Sequence, residues 1–411
     1  MSKNSGYLAT VRVPGIGLVL VGGILGRLTY GIIPFATVLA FSAAHGFAAA
    51  GLASAGFMAG NALLAPVRGR IVDRRGPRTL FYMAGIHLLA VLGTAVLIPT
   101  VLWVAAVVLL AAAGATIPPI GPALRTSWSR LAPNKDILRQ VHALDSVVEE
   151  LTFVVAPLLT VALVAATSSR WTIFLGAVLL VPAVAAIVRF GRIDRADEQR
   201  PASAPGTTSA EADRRPLMLR PQGQGIVIPI ITLGTVGGGL AILLPALAER
   251  AGSITAAGYA FAAYSLGGAV AGLIYGRLRW DASLRVKYTI VTACFAIGVA
   301  LLIPAASIVL TMIAVFLAGG ALTPIFIVAY LLVDERIEQN RLTEANSWLS
   351  SGYNIGSASG SALCGLLVSA TTPAVVATIY TAVACLGILG SLRVPRHQPD
   401  KAPSAALETA A

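Results

Sequence analysis

The sequence predicts an all-α membrane protein whose twelve transmembrane helices form two six-helix pseudo-repeats. Apolar blocks of about 20 residues recur along the chain, long enough to cross ~30 Å of hydrocarbon as helices. Arginine clusters return in every second connecting loop, and the two halves share residues at a constant offset. The 411 residues are 56% hydrophobic and 12% charged, with a mean hydropathy of +0.81. Soluble domains carry about 25% charged residues, so this composition excludes a soluble fold.

Each apolar block is predicted to be one helix, because backbone polar groups in lipid must be satisfied within their own segment. Pro118, Pro119 and Pro122 interrupt the fourth block, and neighbouring helices are expected to satisfy the backbone groups that they free. The predicted spans are 13–42, 47–67, 79–99, 101–124, 141–166, 171–190, 224–248, 256–276, 286–305, 307–333, 343–369 and 373–392.

Lysine and arginine set the predicted orientation of these spans. With the N-terminus inside, 27 of the 30 basic residues lie in cytoplasmic segments, Arg170 and Arg250 lie outside, and Arg27 lies within the first helix. One missed helix would destroy this alternation. We therefore expect a multi-pass protein of the inner (plasma) membrane with both termini in the cytoplasm. The net charge of +12 reflects membrane topology rather than nucleic-acid binding.

The chain is predicted to divide into two bundles. Residues 1–190 form the N-terminal six-helix bundle, 191–221 a cytoplasmic linker, 222–393 the C-terminal six-helix bundle and 394–411 a disordered cytoplasmic tail. The linker is rich in Pro, Ser, Thr, Ala and charged residues, which is typical of a disordered segment.

An offset of 207 residues relates the two bundles. The matching pairs lie at the inner end of the second helix of each half and in the loop that follows; they are Gly60 with Gly267, Gly69 with Gly276, Arg70 with Arg277 and Arg78 with Arg285. Two joined six-helix repeats indicate a transporter whose substrate site lies between the halves.

Residues 69–78, Gly-Arg-Ile-Val-Asp-Arg-Arg-Gly-Pro-Arg, connect the second and third predicted helices. They resemble the G-x-L-A-D-R-x-G-R-K signature of the major facilitator superfamily at that loop. Gly69, Asp73, Arg74 and Gly76 match, and Arg78 supplies a cation beside the expected position. The resemblance in topology covers essentially the whole chain and implies the major facilitator fold, in a twelve-helix, efflux-like, bacterial branch.

The resemblance also implies a cytoplasmic gate formed by Gly69, Asp73, Arg74, Gly76 and Arg78. In that family the loop latches onto the eleventh helix, where a carboxylate can face a helix N-terminus. The alternative is that these arginines only enforce orientation. Two efflux features are missing: 111–116 holds no arginine, and only 156–157 resembles the glycine–proline run of the fifth helix.

Four charged residues lie away from the ends of the predicted membrane helices, where charge usually faces a cavity or a partner. Arg27 is interpreted as an anion-binding or counter-ion residue, and the alternative is a structural ion pair between helices. Asp145, Glu149 and Glu150 are the predicted proton-coupling residues, because adjacent carboxylates out of water favour protonation of at least one of them. Asp145 could instead be a loop-end charge, and Arg27 could pair with a glutamate.

The eleventh helix is the most polar, and one of its stripes is predicted to line a cavity. The predicted substrate-binding residues are Arg27, Tyr30, Asn61, Asn346, Ser350, Tyr353 and Asn354, with helix packing as the alternative role. A second stripe, formed by Gly352, Gly356 and Gly360, predicts close packing against another helix.

The predicted function is secondary transport, with proton-coupled export of a small organic molecule or drug by alternating access. Such an antiporter could confer antibiotic resistance. The alternatives are an uptake carrier for a sugar, amino acid or organic anion and, more remotely, a membrane receptor or scaffold that does not transport. No nucleophile–base, metal or P-loop pattern occurs, so we predict no enzyme and no cofactor beyond a proton gradient. The expected partners are the substrate, protons and the lipid bilayer, with no nucleic acid, and the chain is expected to be monomeric.

Overall fold

The structure is a computed structural model that describes residues 10–190, 221–278, 280–305, 307–337 and 342–395. Within these ranges the chain forms helices joined by short turns. The helices are α1 (Ile16–Arg75), α2 (Thr79–Leu97), α3 (Trp103–Thr116), α4 (Ile120–Leu131), α5 (Lys135–Ala166), α6 (Ser169–Val178), α7 (Leu180–Phe190), α8 (Pro221–Arg250), α9 (Thr255–Arg277), α10 (Leu284–Ala300), α11 (Ile308–Arg336), α12 (Leu342–Ala370) and α13 (Pro373–Ser391). Nearly all of the predicted linker and tail lies outside the described residues.

The helices differ from the predicted spans in three places: two predicted spans are joined into one helix, and two others are each divided into two helices. Helix α1 contains the first two spans as a first arm, 16–45, and a second arm, 47–75, which meet at Gly46. Gly46 has φ +80°, a conformation that suits glycine because it has no Cβ. The fourth span is α3 plus α4, interrupted between them at residues 117–119, and the sixth is α6 plus α7. Counted this way, the helices are consistent with twelve spans.

Nine helical stretches among the described residues are long and apolar enough to cross a membrane, by length and composition. The first of them, Ile16–Ala65, has 50 residues and is long enough for two crossings. The nine stretches cover ten of the twelve predicted spans, and α10 and α12 are not among them.

The second arm of α1 corrects one prediction. The sequence pattern places residues 69–78 between two helices, but α1 continues through Arg75 and the turn is confined to residues 76–78. Arg68, counted in the sequence as a loop arginine, is 6% exposed. The physical reason is that its guanidinium is held by backbone and side-chain acceptors inside the N-terminal bundle.

The internal repeat is visible as equivalent glycine contacts. A Cβ on Gly60 would lie 2.2 Å from the carbonyl oxygen of Ala111 in α3. A Cβ on Gly267 would lie 2.0 Å from the carbonyl oxygen of Phe316 in α11. In both halves glycine therefore allows the second span to pack directly on the backbone of the fourth.

The two halves meet where α1 packs on α12 and α5 packs on α9. Close contacts of this interface lie near one end of the bundle. A Cβ on Gly51 would be 2.4 Å from the carbonyl oxygen of Ser361, and the hydroxyl groups of Ser54 and Ser361 are 3.2 Å apart. The rings of Phe35 and Phe261 are 4.8 Å apart between centroids. We call this the closed end.

The other end of the bundle carries the C-terminal ends of α1, α4, α9 and α11, and we call it the arginine-rich end. Here the space beside the equivalent glycines is empty: a Cβ on Gly69 or Gly276 would meet no heavy atom within 4 Å. Arg70, Arg74 and Arg75 are exposed. The described contacts thus join the halves at the closed end, whereas these glycines at the arginine-rich end touch no neighbouring helix.

Candidate functional site

Arg27 forms an ion cluster with two carboxylates near the middle of the N-terminal bundle. Its Nη1 and Nη2 donate to the two carboxylate oxygens of Asp145 at 2.9 and 3.0 Å. Nη2 also lies 3.3 Å from Oε2 of Glu149. The side chains of Arg27 and Asp145 are each 9% exposed, and that of Glu149 is 42% exposed. The planar guanidinium suits this two-pronged contact.

The helical spacing of α5 explains the cluster. Asp145 and Glu149 are four residues apart and therefore share one face, which packs against the first arm of α1. Asp145 is 6% exposed, so its interpretation as a loop-end charge is wrong. Glu150 lies next to this face and is half-buried, with no hydrogen bond or ion pair among the described residues. The cluster thus contains a tight pair, a partly exposed third member and a free carboxylate beside it.

Tyr30 lies one helical turn beyond Arg27 and contacts the break in the fourth span. Its hydroxyl donates to the carbonyl oxygen of Pro118 and accepts from the backbone N–H of Ile120 at 3.4 Å. Prolines at 118 and 119 interrupt the helical hydrogen bonds there, so a neighbouring helix supplies partners, as the sequence predicts. Tyr30 therefore positions the wall formed by residues 117–122.

Arg68 lies two turns beyond Asn61 on the second arm of α1. Its Nη1 donates to the carbonyl oxygen of Gly114 at 2.6 Å. Its Nη2 donates to Oδ1 of Asn61 at 2.6 Å and to the carbonyl oxygen of Asn61 at 3.1 Å. Its Nε has no partner among the described residues. Burial lowers the pKa of Arg68, but a guanidinium keeps its charge in proteins.

A cavity of about 240 Å³ adjoins Arg68 and Tyr30. Apart from Arg68, Asn61 and Tyr30, its lining is apolar or backbone; it consists of Pro34, Phe57, Met58, Ile117, Pro118, Pro119, Ile120, Gly121 and Pro122. The cavity joins both arms of α1 to the break in the fourth span.

Sequence reasoning singles out Asn61 as a substrate-binding residue but misses Arg68, which donates hydrogen bonds to it. An arginine one residue before an arginine-rich turn looks like a topology signal. The available clue was the spacing of Asn61 and Arg68, because residues seven apart lie on one helix face.

The polar stripe of α12 is only partly described. The ring of Tyr353 packs 5.5 Å from that of Phe326, and Asn354 is half-buried. Ser350 is exposed. The side chain of Asn346 lies outside the described residues. Among the described residues of this stripe, none forms a hydrogen bond with Arg27 or Asn61.

The predicted glycine stripe of α12 is confirmed as a packing surface. A Cβ on Gly356 would lie 2.2 Å from the carbonyl oxygen of Ile231, and one on Gly360 would lie 1.9 Å from that of Thr235. Both carbonyl groups belong to α8, on which α12 packs.

The predicted gate residues lie at the arginine-rich end. Gly76 ends α1 with φ +84°, and its N–H donates to the carbonyl oxygen of Val72. Arg74 and Arg78 are exposed, and Gly69 touches no neighbouring helix. The side chain of Asp73 lies outside the described residues. Among the described residues, a Cβ on Gly69 would meet no heavy atom of α12 within 4 Å.

His87 is buried in α2, and its Nδ1 lies 2.8 Å from the carbonyl oxygen of Ala113. This contact places His87 against α3.

Comparison with known proteins points to one family. The Major Facilitator Superfamily model matches residues 19–252 and 226–410. No curated protein matches the chain by sequence.

Solved structures share its fold. The nucleoside transporter NupG superposes with a TM-score of 0.73 at 13% identity, covering 94% of this chain and 100% of the other. A bacterial homologue of the iron transporter ferroportin, in an inward-facing state, gives 0.70 at 16% identity, covering 93% and 99%. A POT family transporter in complex with 5-aminolevulinic acid gives 0.67 at 11% identity, covering 92% and 94%.

Proposed function

We propose that this chain, a member of the major facilitator superfamily, exports a small organic molecule in exchange for protons by alternating access. Membership of that family makes it an integral membrane transporter rather than an enzyme. The observation that carries the proton-coupling part is the cluster of Arg27, Asp145 and Glu149 inside the N-terminal bundle. Ionisable groups inside a membrane-spanning bundle cost free energy unless they are paired or take part in function. Here two carboxylates and one cation leave a surplus negative charge that a proton can neutralise.

The geometry assigns different tasks to the carboxylates. Asp145 holds Arg27 through two short hydrogen bonds and serves as its counter-ion. Glu149, longer and more exposed, can release Arg27 when it takes up a proton. Glu150 has no hydrogen bond or ion pair among the described residues and adds a second negative charge beside Glu149. Proton uptake would thus loosen the contact between α1 and α5 without breaking the Asp145 pair.

The contact pattern supports an inward-open state. The predicted orientation places the arginine-rich end in the cytoplasm, and the described contacts join the halves at the closed end. Rocking of one bundle against the other would close the arginine-rich end and bring Gly69 and Asp73 towards α12. The proposed latch is therefore a feature of the outward-open state.

Transport into inverted vesicles tests the proposal. A proton gradient should drive accumulation of substrate from a panel of organic ions, and the double variant Glu149→Gln/Glu150→Gln should abolish the gradient dependence. Asp136→Asn is the matched control, since this acid lies on the same helix in an exposed pair with Arg139. Undiminished gradient-driven transport by the double variant, with folding verified, would refute proton coupling through these residues.

Uptake of an organic anion is the second candidate, favoured by the buried charge of Arg68. It predicts gradient-driven accumulation in right-side-out vesicles and none in inverted ones. The same pair of preparations therefore decides the direction.

A further inference from the structure

Arg68 is a buried cation without a counter-ion among the described residues. Its hydrogen-bond acceptors are the two carbonyl oxygens of Gly114 and Asn61 and the amide oxygen of Asn61, all neutral. Its Nε–H is buried with no partner. Arg27 differs, since Asp145 and Glu149 already neutralise it. A buried charge is normally paired, so the structure leaves Arg68 short of one anion.

The cavity beside Arg68 indicates the chemistry of that anion. Its volume of about 240 Å³ is below the 300–1,000 Å³ of pockets for drug-sized ligands, so it takes a small molecule or one end of a larger one. Phe57, Met58 and Ile117 supply apolar walls. Inorganic phosphate and sugars would leave polar groups unpaired against these walls. A carboxylate attached to an aromatic or aliphatic body satisfies both Arg68 and the walls.

We propose that Arg68, held by Asn61, binds the carboxylate of an amphipathic organic anion whose apolar body occupies the cavity between α1 and residues 117–122. The inference rests on the proposed transport function and specifies its substrate class. Arg68 is the anion-binding residue of this site, and Arg27 belongs to the separate proton cluster. Tyr30 contributes by fixing the cavity wall through its contacts with Pro118 and Ile120.

Equilibrium binding to the full chain in phosphatidylcholine nanodiscs tests this site. The probes are phenylacetate, 4-phenylbutyrate and octanoate, each with its neutral amide, measured by isothermal titration calorimetry. We expect the wild type to bind at least one carboxylate roughly 10- to 100-fold more tightly than its amide, the range of a charge-assisted hydrogen bond.

Two variants separate binding from folding. Arg68→Gln should lose the preference for the carboxylate, but it also removes a tie between α1 and α3. Asn61→Asp keeps an oxygen at the same place beside Arg68 and supplies the missing negative charge. It should therefore preserve or raise the unfolding temperature while weakening carboxylate binding at least about tenfold. Arg70→Gln, an exposed arginine on the same arm, is the control and should bind like the wild type.

Several results would overturn the proposal. They are equal affinity for carboxylate and amide, wild-type binding by folded Asn61→Asp, and no binding of any of the three carboxylates. A lipid head group as the ligand is tested in nanodiscs containing phosphatidylglycerol: Arg68-dependent binding of that lipid, with none of the carboxylates, would also overturn it. The measurement uses no gradient, so it is independent of the outcome for proton coupling.

Discussion

Replacing Asp145 by asparagine tests whether the Arg27 cluster is held mainly by one of its two carboxylates. The substitution keeps the shape of the side chain and removes its charge. Arg27 would remain buried with only Glu149, 3.3 Å away and 42% exposed in its side chain, as a counter-ion. The two carboxylates should therefore contribute unequally to stability.

The expected loss of unfolding free energy follows from the burial of the Arg27–Asp145 pair. Removing one partner of a buried ion pair costs about 3–5 kcal/mol, because the other charge is left uncompensated. The Arg27 and Asp145 side chains are each 9% exposed, so solvent screens this pair little. Glu149 is partly solvated and recovers up to about 1 kcal/mol, the usual value of an exposed pair. Asp145→Asn should thus lower the free energy of unfolding by about 2–4 kcal/mol, and Glu149→Gln by less than about 1 kcal/mol.

A double-mutant cycle measures the pair itself. Arg27→Met, Asp145→Asn and the double variant would be unfolded in dodecylmaltoside micelles by titration with sodium dodecyl sulfate, followed by circular dichroism. The double variant should lose less unfolding free energy than the two single variants lose together, since it leaves no unpaired charge from this pair. Additive losses, or equal losses for Asp145→Asn and Glu149→Gln, would refute this reasoning.

Two glycine substitutions give further predictions. Gly51→Val places a Cβ 2.4 Å from the backbone oxygen of Ser361, so it should push the two halves apart at the closed end. Distances between spin labels placed on the two halves at that end should then increase. Gly85→Val, the control, adds a side chain in open space and should leave those distances unchanged. Gly76→Ala places a Cβ at φ +84° and should cost about 1–2 kcal/mol of unfolding free energy in the same detergent titration. A variant as stable as the wild type would contradict the assigned role of Gly76 as the residue that ends α1.

The helices were accessible from sequence because the lipid imposes a simple rule on length and hydropathy. The break at Gly46 was accessible as well, since His45 and Gly46 fall between the predicted spans 13–42 and 47–67. The break after Thr116 was predicted only as a tolerated interruption. Whether prolines bend or break a helix depends on nearby partners, and Tyr30, which is distant in sequence, supplies them here.

The charged residues show where sequence reasoning ends. Arg27 and the α5 carboxylates could be singled out because charge is rare in apolar blocks. Which carboxylate receives Arg27 depends on the rotation of α5 about its axis, and hydropathy does not specify that rotation. Arg68 was missed for the opposite reason: it stands beside other arginines, and its burial and its contacts with Gly114 and Asn61 distinguish it from them.

The hydroxyl of Tyr30 has an evolutionary consequence. It serves both sides of the proline break, at the carbonyl oxygen of Pro118 and the N–H of Ile120, so it substitutes for the hydrogen bonds that an unbroken helix would make for itself. Phenylalanine at position 30 would leave the carbonyl oxygen of Pro118 and the N–H of Ile120 with only each other, 2.9 Å apart, in a lineage that keeps the prolines. The same substitution would remove no such contact in a lineage that has an unbroken helix there, so the tyrosine is expected to persist longest where the prolines persist.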